Sequence, residues 1–152
     1  MIVTMDNLLC RAKRKSDGVW VYGFYVEGVC GESFILQGFI SKRDNAPEIV
    51  LDRSLVDEVD TDTVCRSVGI KSKSGEPIFE GDILSSKYDE EFPEMESVVY
   101  VKWLLGNGFG WYTTDGRYDP DPITKWDDGY WSIKGNIFDD RKLAHEMGAD
   151  VK

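Results

Sequence analysis

Any catalysis or metal chemistry in this chain would have to be built from one histidine, three cysteines and a carboxylate-rich stretch. His145 is the only imidazole, so a nucleophile–histidine–acid triad would have to run through it. Beside Glu146 and near the C-terminus, it is expected to be a solvated or packed side chain instead. Cys10, Cys30 and Cys65 are odd in number, far apart and without a C-x-x-C pair, which argues against a structural zinc site. Cys10 and Cys30 fall in apolar, strand-like stretches, where a free thiol is expected to pack as a small hydrophobe, a usage that suits a reducing cytosol. Asp115, Asp119, Asp121, Asp127 and Asp128 could gather a divalent cation for hydrolysis, but they lack the ligand spacing, glycine and terminal glutamate of a calcium loop. Phosphate-loop, dinucleotide, zinc-protease and nucleophile-elbow motifs are all missing from the sequence. The expectation is therefore no catalytic residue, no cofactor-binding residue, no metal ligand and no cofactor.

Residues that could hold a macromolecule are easier to find. Arg11, Lys13, Arg14 and Lys15 form a basic edge in a chain whose formal net charge is −10. That overall charge repels phosphate backbones at long range and disfavours nonspecific nucleic-acid binding, while leaving the local edge. Trp126 and Trp131, in the stretch WDDGYW, are expected to be an exposed aromatic pair, since such rings give contact area at small entropic cost. The other tryptophans are expected in the core.

The elements that must position these residues read as strands. At 152 residues, 41% of them hydrophobic, the chain is expected to form a single domain, 1–152, with one packed core. Leu8 to Lys15 and Val19 to Glu27 flank Ser16-Asp17-Gly18 and predict a β-hairpin. The second strand is aromatic and β-branched almost throughout, so burial on much of both faces is expected. Ser33 to Ile40 predicts a third strand, and Asp44-Asn45-Ala46-Pro47 a loop before Glu48 to Leu51. Thr63 to Ile70 is followed by a polar turn ending at Gly75, and Glu80-Gly81-Asp82 is expected to turn the chain into a strand at Ile83. There Gly81 frees the backbone and Asp82 accepts a neighbouring N–H, a structural reading preferred over a catalytic carboxylate pair of Glu80 and Asp82.

Tyr88 to Glu96 predicts a solvated acidic loop, and Ser97 to Leu105 with Phe109 to Thr114 a second hairpin around Gly106-Asn107-Gly108. Asp115 to Asp128 predicts a loop, because Pro120 and Pro122 block ladder bonding. Trp131 to Ile133 predicts a last short strand, and the change of period after Asp139 one short C-terminal helix closed by Gly148. No run of about 18 apolar residues appears, and the N-terminal segment reverses the charge order of a signal peptide, so no membrane association is expected.

Three blocks together resemble the YopX family of small phage and prophage proteins. The first is Leu9-Cys10-Arg11-Ala12-Lys13-Arg14-Lys15 with Gly18 to Tyr25, similar to the family's opening R-x-K-R hairpin. The second runs from Val59 to Val64 through Gly69-Ile70 and Lys73-Ser74-Gly75-Glu76-Pro77-Ile78-Phe79-Glu80-Gly81-Asp82-Ile83, similar to its T-V-G-Q-x-T-G-L-x-D-x-x-G-x-x-I-x-E-G-D-I pattern. Third comes Gly135-Asn136-Ile137-Phe138 with Leu143. In two places the chain departs from the pattern: Cys65-Arg66-Ser67 occupies the G-Q-x run, and Ser72 the usual aspartate position. The resemblance implies a mainly β fold, an SH3-like barrel with additional β-hairpins, and residence in a bacterial host cytoplasm. It implies no known activity and carries no catalytic residue over.

The expected function is that of a noncatalytic accessory protein binding a host or phage macromolecule, with a protein partner favoured. The alternative is nucleic-acid binding through the basic hairpin and neighbouring aromatics, and a third reading is a metal-dependent hydrolase using the acidic stretch. Association into a homo-oligomer through strand edges is a further expectation.

Overall fold

The computed structural model describes residues 9–37, 39–43, 46–50, 55–87, 96–105 and 109–149. They are mainly β, in antiparallel sheets with one short helix, and the chain divides into two compact units, Met1–Arg66 and Ser67–Lys152. Among the described residues no sheet closes on itself.

In the first unit, β1 (Cys10–Lys13), β2 (Trp20–Glu27), β3 (Ser33–Leu36) and β6 (Val56–Val59) lie in the order β6-β3-β2-β1. The hairpin turn forms where its chemistry places it: the Val19 N–H donates to the Asp17 carboxylate at 3.1 Å, and Gly18 takes φ 72°. Cys10, Ala12, Val21, Ile35 and Val59 make the core on one side of this sheet. Burial of β2 on both faces is corrected: Val21 and Gly23 are buried, whereas Tyr22, Tyr25 and Val26 are exposed. Hydrophobicity alone does not reveal whether a second layer covers a strand. The third strand stops at Leu36, and a separate hairpin, β4 (Phe39–Arg43) with β5 (Ala46–Val50), follows. Ala46 and Pro47, expected in a loop, thus belong to a strand, since a two-stranded ribbon leaves one side of each strand without a partner and tolerates proline there. The expected turn residues Asp44 and Asn45 lie outside the described residues.

β7 (Cys65–Lys71) straddles the boundary. Cys65 and Arg66 pair with β1, while Ser67 and Lys71 pair with Phe79 and Pro77 of β8 (Pro77–Phe79). The second unit's main sheet has the order β12-β11-β10-β9-β13, built from β9 (Asp82–Lys87), β10 (Glu96–Leu105), β11 (Phe109–Thr114), β12 (Asp121–Pro122) and β13 (Ser132–Asn136). β9 is covered on both faces. Leu84 packs with Ile78, Val101 and Trp131 on one side, and Ile83 with Tyr100 and Met147 on the other, where Leu143 of helix α1 (Arg141–Glu146) also contributes. The helix is capped by Asp140, one of the two adjacent aspartates able to do so, whose carboxylate accepts the Leu143 N–H at 3.1 Å.

The loop expected over Asp115 to Asp128 is partly structured. Asp121 and Pro122 pair with β11 as an edge strand, which needs no N–H from Pro122 on its outer side, and Lys125–Asp127 is a 3-10 turn capped by Thr124. β13, the opposite edge, carries a register shift between Ile133 and Gly135. The acidic stretch 88–95 and the turn 106–108 lie outside the described residues; Glu96, expected in that loop, begins β10.

Candidate functional site

The turn residues singled out in sequence build architecture. Asp82 is completely buried, and its carboxylate accepts the Phe79 N–H at 2.8 Å, tying the turn between β8 and β9. Gly81 takes φ 81°, and a Cβ there would meet Phe138 at 3.0 Å and Ile137 at 3.2 Å. The backbone continues the link: the Ile137 N–H donates to the Gly81 carbonyl at 2.9 Å, and Asn136 is the register partner of Asp82. Two sequence blocks more than fifty residues apart thus interlock, with the Asn136 side-chain oxygen accepting the N–H groups of Phe138 and Asp139 at 3.0 Å each. At the other marked turn, Gly75 takes φ 89° and the buried Ser72 hydroxyl accepts the Glu76 N–H at 3.2 Å. Serine supplies the same turn-closing acceptor that an aspartate would.

The basic edge is split by the structure. Arg11 and Lys13 face Tyr22 and Trp20 across the β1–β2 ladder, and both cations sit over the Trp20 ring, at 4.7 and 5.4 Å from its centroid. Arg11 is buried. Arg14 and Lys15 are drawn into ion pairs instead, Arg14 with Asp17 and Asp57 at 3.2 Å each and Lys15 with Glu58 at 3.0 Å. The Lys15 ammonium is accordingly held above the ordinary lysine range, chiefly by its hydrogen bond to Glu58. Arg14 and Lys15 are therefore already engaged by carboxylates of the same unit.

Around Trp20 the described residues of the first unit form an open, largely apolar surface. Alternation places Trp20, Tyr22, Phe24 and Val26 on the β2 face opposite the core, and the ladders add Leu36 and Phe34 of β3 and Val56 of β6 to it. Tyr22, Val26 and Val56 are 47%, 45% and 41% exposed, large fractions for apolar side chains grouped on one sheet face. Sequence reasoning found Arg11, Lys13 and the aromatic run but missed this face. The available signal was the strict alternation of small or β-branched Val21 and Gly23 with Trp20, Tyr22 and Phe24.

In the second unit the expected exposed pair is corrected. Trp126 is 81% exposed, with the Lys125 ammonium 5.1 Å from its ring centroid, but Trp131 is 8% exposed and part of the core. The Trp131 indole N–H finds its partner in Asp127 at 2.9 Å, which removes the usual obstacle to burying a tryptophan. The carboxylates of the acidic stretch fold their own backbone: Asp115 accepts from Arg117 and Tyr118, Asp127 from Thr124, and Asp128 from Lys71. The Asp115 carboxyl is held below the ordinary range, mainly by the Arg117 N–H. Among the described residues no three of His, Cys, Asp and Glu are placed to hold a metal ion. His145 is exposed on α1.

Of the thiols, Cys10 and Cys65 are buried, and burial pushes the Cys10 pKa up despite a backbone hydrogen bond at Tyr25 and the Arg66 charge. Cys30 is exposed, correcting its expected packing. It occupies the tight turn before β3, where the backbone is held by the Glu32 carboxylate and no sheet face is available to bury it. No described helix is long and apolar enough to cross a membrane.

These features define a mainly β protein whose most distinctive residues serve turns and inter-strand locks. The pattern of the YopX protein family matches residues 10–144, and the chain belongs to that family. No curated protein matches it significantly.

Proposed function

We propose that the chain is a noncatalytic phage-type binding module, and that the outer face of the β1–β2–β3–β6 sheet is its contact surface for a partner protein. The observation that carries this reading is the concentration of Trp20, Tyr22, Phe24, Val26 and Val56 on a face opposite the packed core. Aromatic side chains at the centre of such a patch, with cations at its margin, have the composition that protein interfaces favour. Work in a bacterial cytoplasm and an SH3-like barrel with added hairpins belong to the same reading, supported by the family resemblance and the reduced cysteines. The test is affinity capture from nuclease-treated bacterial lysate with the wild type and a Tyr22→Asp/Val26→Asp variant side by side. The proposal expects a protein recovered by the wild type and lost by the variant; equal recovery by both would remove it.

One observation favours a second reading. Arg11 and Lys13 over Trp20, beside exposed Tyr22, combine cations and stacking rings in the manner of single-strand nucleic-acid platforms. The ion pairs of Arg14 and Lys15 and the net charge of −10 weigh against it. On this reading binding falls steeply with salt and weakens in Lys13→Glu/Arg14→Glu, and salt-insensitive binding would exclude it.

A further inference from the structure

The second unit carries ten Lys and Arg against seventeen Asp and Glu, so most of its clefts should be bordered by carboxylates. One is not. A cavity of about 400 Å³ is bounded by Lys73, Ser86, Lys87, Tyr130 and Ser132, with Ser85 and the Gly129 backbone completing a lining that holds no carboxylate among the described residues. We propose that this cavity binds a small phosphomonoester, with the phosphate dianion between Lys73 and Lys87 and the organic part against the Tyr130 ring.

The walls are fixed by backbone. Lys73 follows the buried Ser72 in the turn that Gly75 closes, and its own N–H donates to the Trp131 carbonyl at 2.7 Å. Opposite, the Gly129 N–H donates to the Lys71 carbonyl at 2.8 Å, and the Tyr130 hydroxyl reaches the Ser86 hydroxyl at 3.3 Å. Ser132 and Ser85 are register partners across the β13–β9 ladder, which holds both hydroxyl-bearing strands at a set separation.

Among the described residues, the carboxylates nearest the two lysines have other first partners. Glu96, the register partner of Lys87, feels its charge and accepts from the Ser85 hydroxyl, but its first partner is Lys134 at 2.7 Å, whose bond chiefly holds it below the ordinary range. Asp127 serves Thr124 and the Trp131 indole, and Asp128 serves the Lys71 N–H. Glu76, on the same turn as Lys73, does not line the cavity. Neither lysine makes an ion pair among the described residues. Two ammonium groups match the charge of a phosphate dianion, and the hydroxyls of Ser86, which accepts from Tyr130, and of Ser132 can donate to its remaining oxygens. The cavity is larger than a phosphate group fills, which leaves room for an organic substituent beside Tyr130, a residue 50% exposed.

The experiment is titration of the full chain, first with inorganic phosphate and then with a nucleoside 5′-monophosphate, followed by calorimetry and by amide shifts at Lys73 and Gly129. The expected result is saturable binding to one site, tighter for the monophosphate, and weakened more than about tenfold in Lys73→Ala/Lys87→Ala. Binding should strengthen as pH rises through about 6, where a phosphomonoester takes its second negative charge. Both lysines are exposed, so an unchanged melting temperature is expected and certifies the fold of the variant. Absence of saturation, a double variant within twofold of the wild type, or an equal loss in Lys142→Ala on α1 would each overturn the proposal.

Discussion

β2 and β9 are both hydrophobic central strands of antiparallel sheets, yet they differ in what covers them. β9 has a core on each face, with Leu84 against Ile78, Val101 and Trp131, and Ile83 against Tyr100 and Met147. Among the described residues β2 has a packed cluster on one face, and its other face presents Tyr22 and Val26 at the surface. The described core cluster of the first unit consists of small and β-branched residues and takes up none of the aromatic side chains of β2. β9 commits its apolar residues to two packed layers, whereas β2 leaves Tyr22 and Val26 exposed.

The largest effect that could break this contrast is expected at Ile83. Ile83→Ala should destabilise the protein by about 3 kcal/mol in urea unfolding, through lost transfer energy and a cavity beneath α1. A loss below about 1 kcal/mol would mean that this face of β9 is not packed as described. Next, Asp82→Ala leaves the buried Phe79 N–H without its acceptor and should cost about 2 kcal/mol in the same measurement, with Asp82→Asn retaining part of the stability. A smaller effect sharpens the picture of the first unit's core. Cys10 titrates above the ordinary thiol range because it is buried, so its folded-state preference for the neutral form is fully present below the unfolded pKa and is lost as pH rises through and beyond it. The alkaline fall in urea midpoint should therefore be shallower in Cys10→Ala. A disulfide reagent at pH 8 should modify exposed Cys30 at least about tenfold faster than Cys10 or Cys65. The smallest effect is the most discriminating: Tyr22→Ala should change stability by less than about 0.5 kcal/mol while weakening capture of a partner. A large stability loss there would show that the open face is structural.

Much of this was legible in the residues. Asp17-Gly18 and Gly81-Asp82 announce their turns because side-chain acceptors and positive φ are local requirements, visible without tertiary context. Asp140 capping α1 is legible for the same reason. What sequence could not convey was coverage. The aromatic run from Trp20 to Tyr25 has the same character whether one layer or two packs on it, and Trp131 packs with Ile78, Leu84 and Val101 while Asp127, four positions earlier, accepts its indole N–H. The basic edge looked continuous for a similar reason: Asp57 and Glu58, which take up Arg14 and Lys15, are more than forty residues away. The lysine-lined cavity draws on Lys73, Lys87 and Tyr130 from separate segments, and no spacing rule links them.

The edges of the five-stranded sheet have a consequence for how the molecule behaves in a crowded solution. β12 is two residues long and ends in Pro122, which has no N–H to offer, and β13 is broken by the shift between Ile133 and Gly135 with Lys134 at the break. An incoming strand meets an interrupted row of donors and acceptors on either side, so both edges are poor templates for fibre growth. Crowding thus offers other chains little to pair with along these two edges, and a partner meeting them is gripped by side chains more readily than by extension of the ladders.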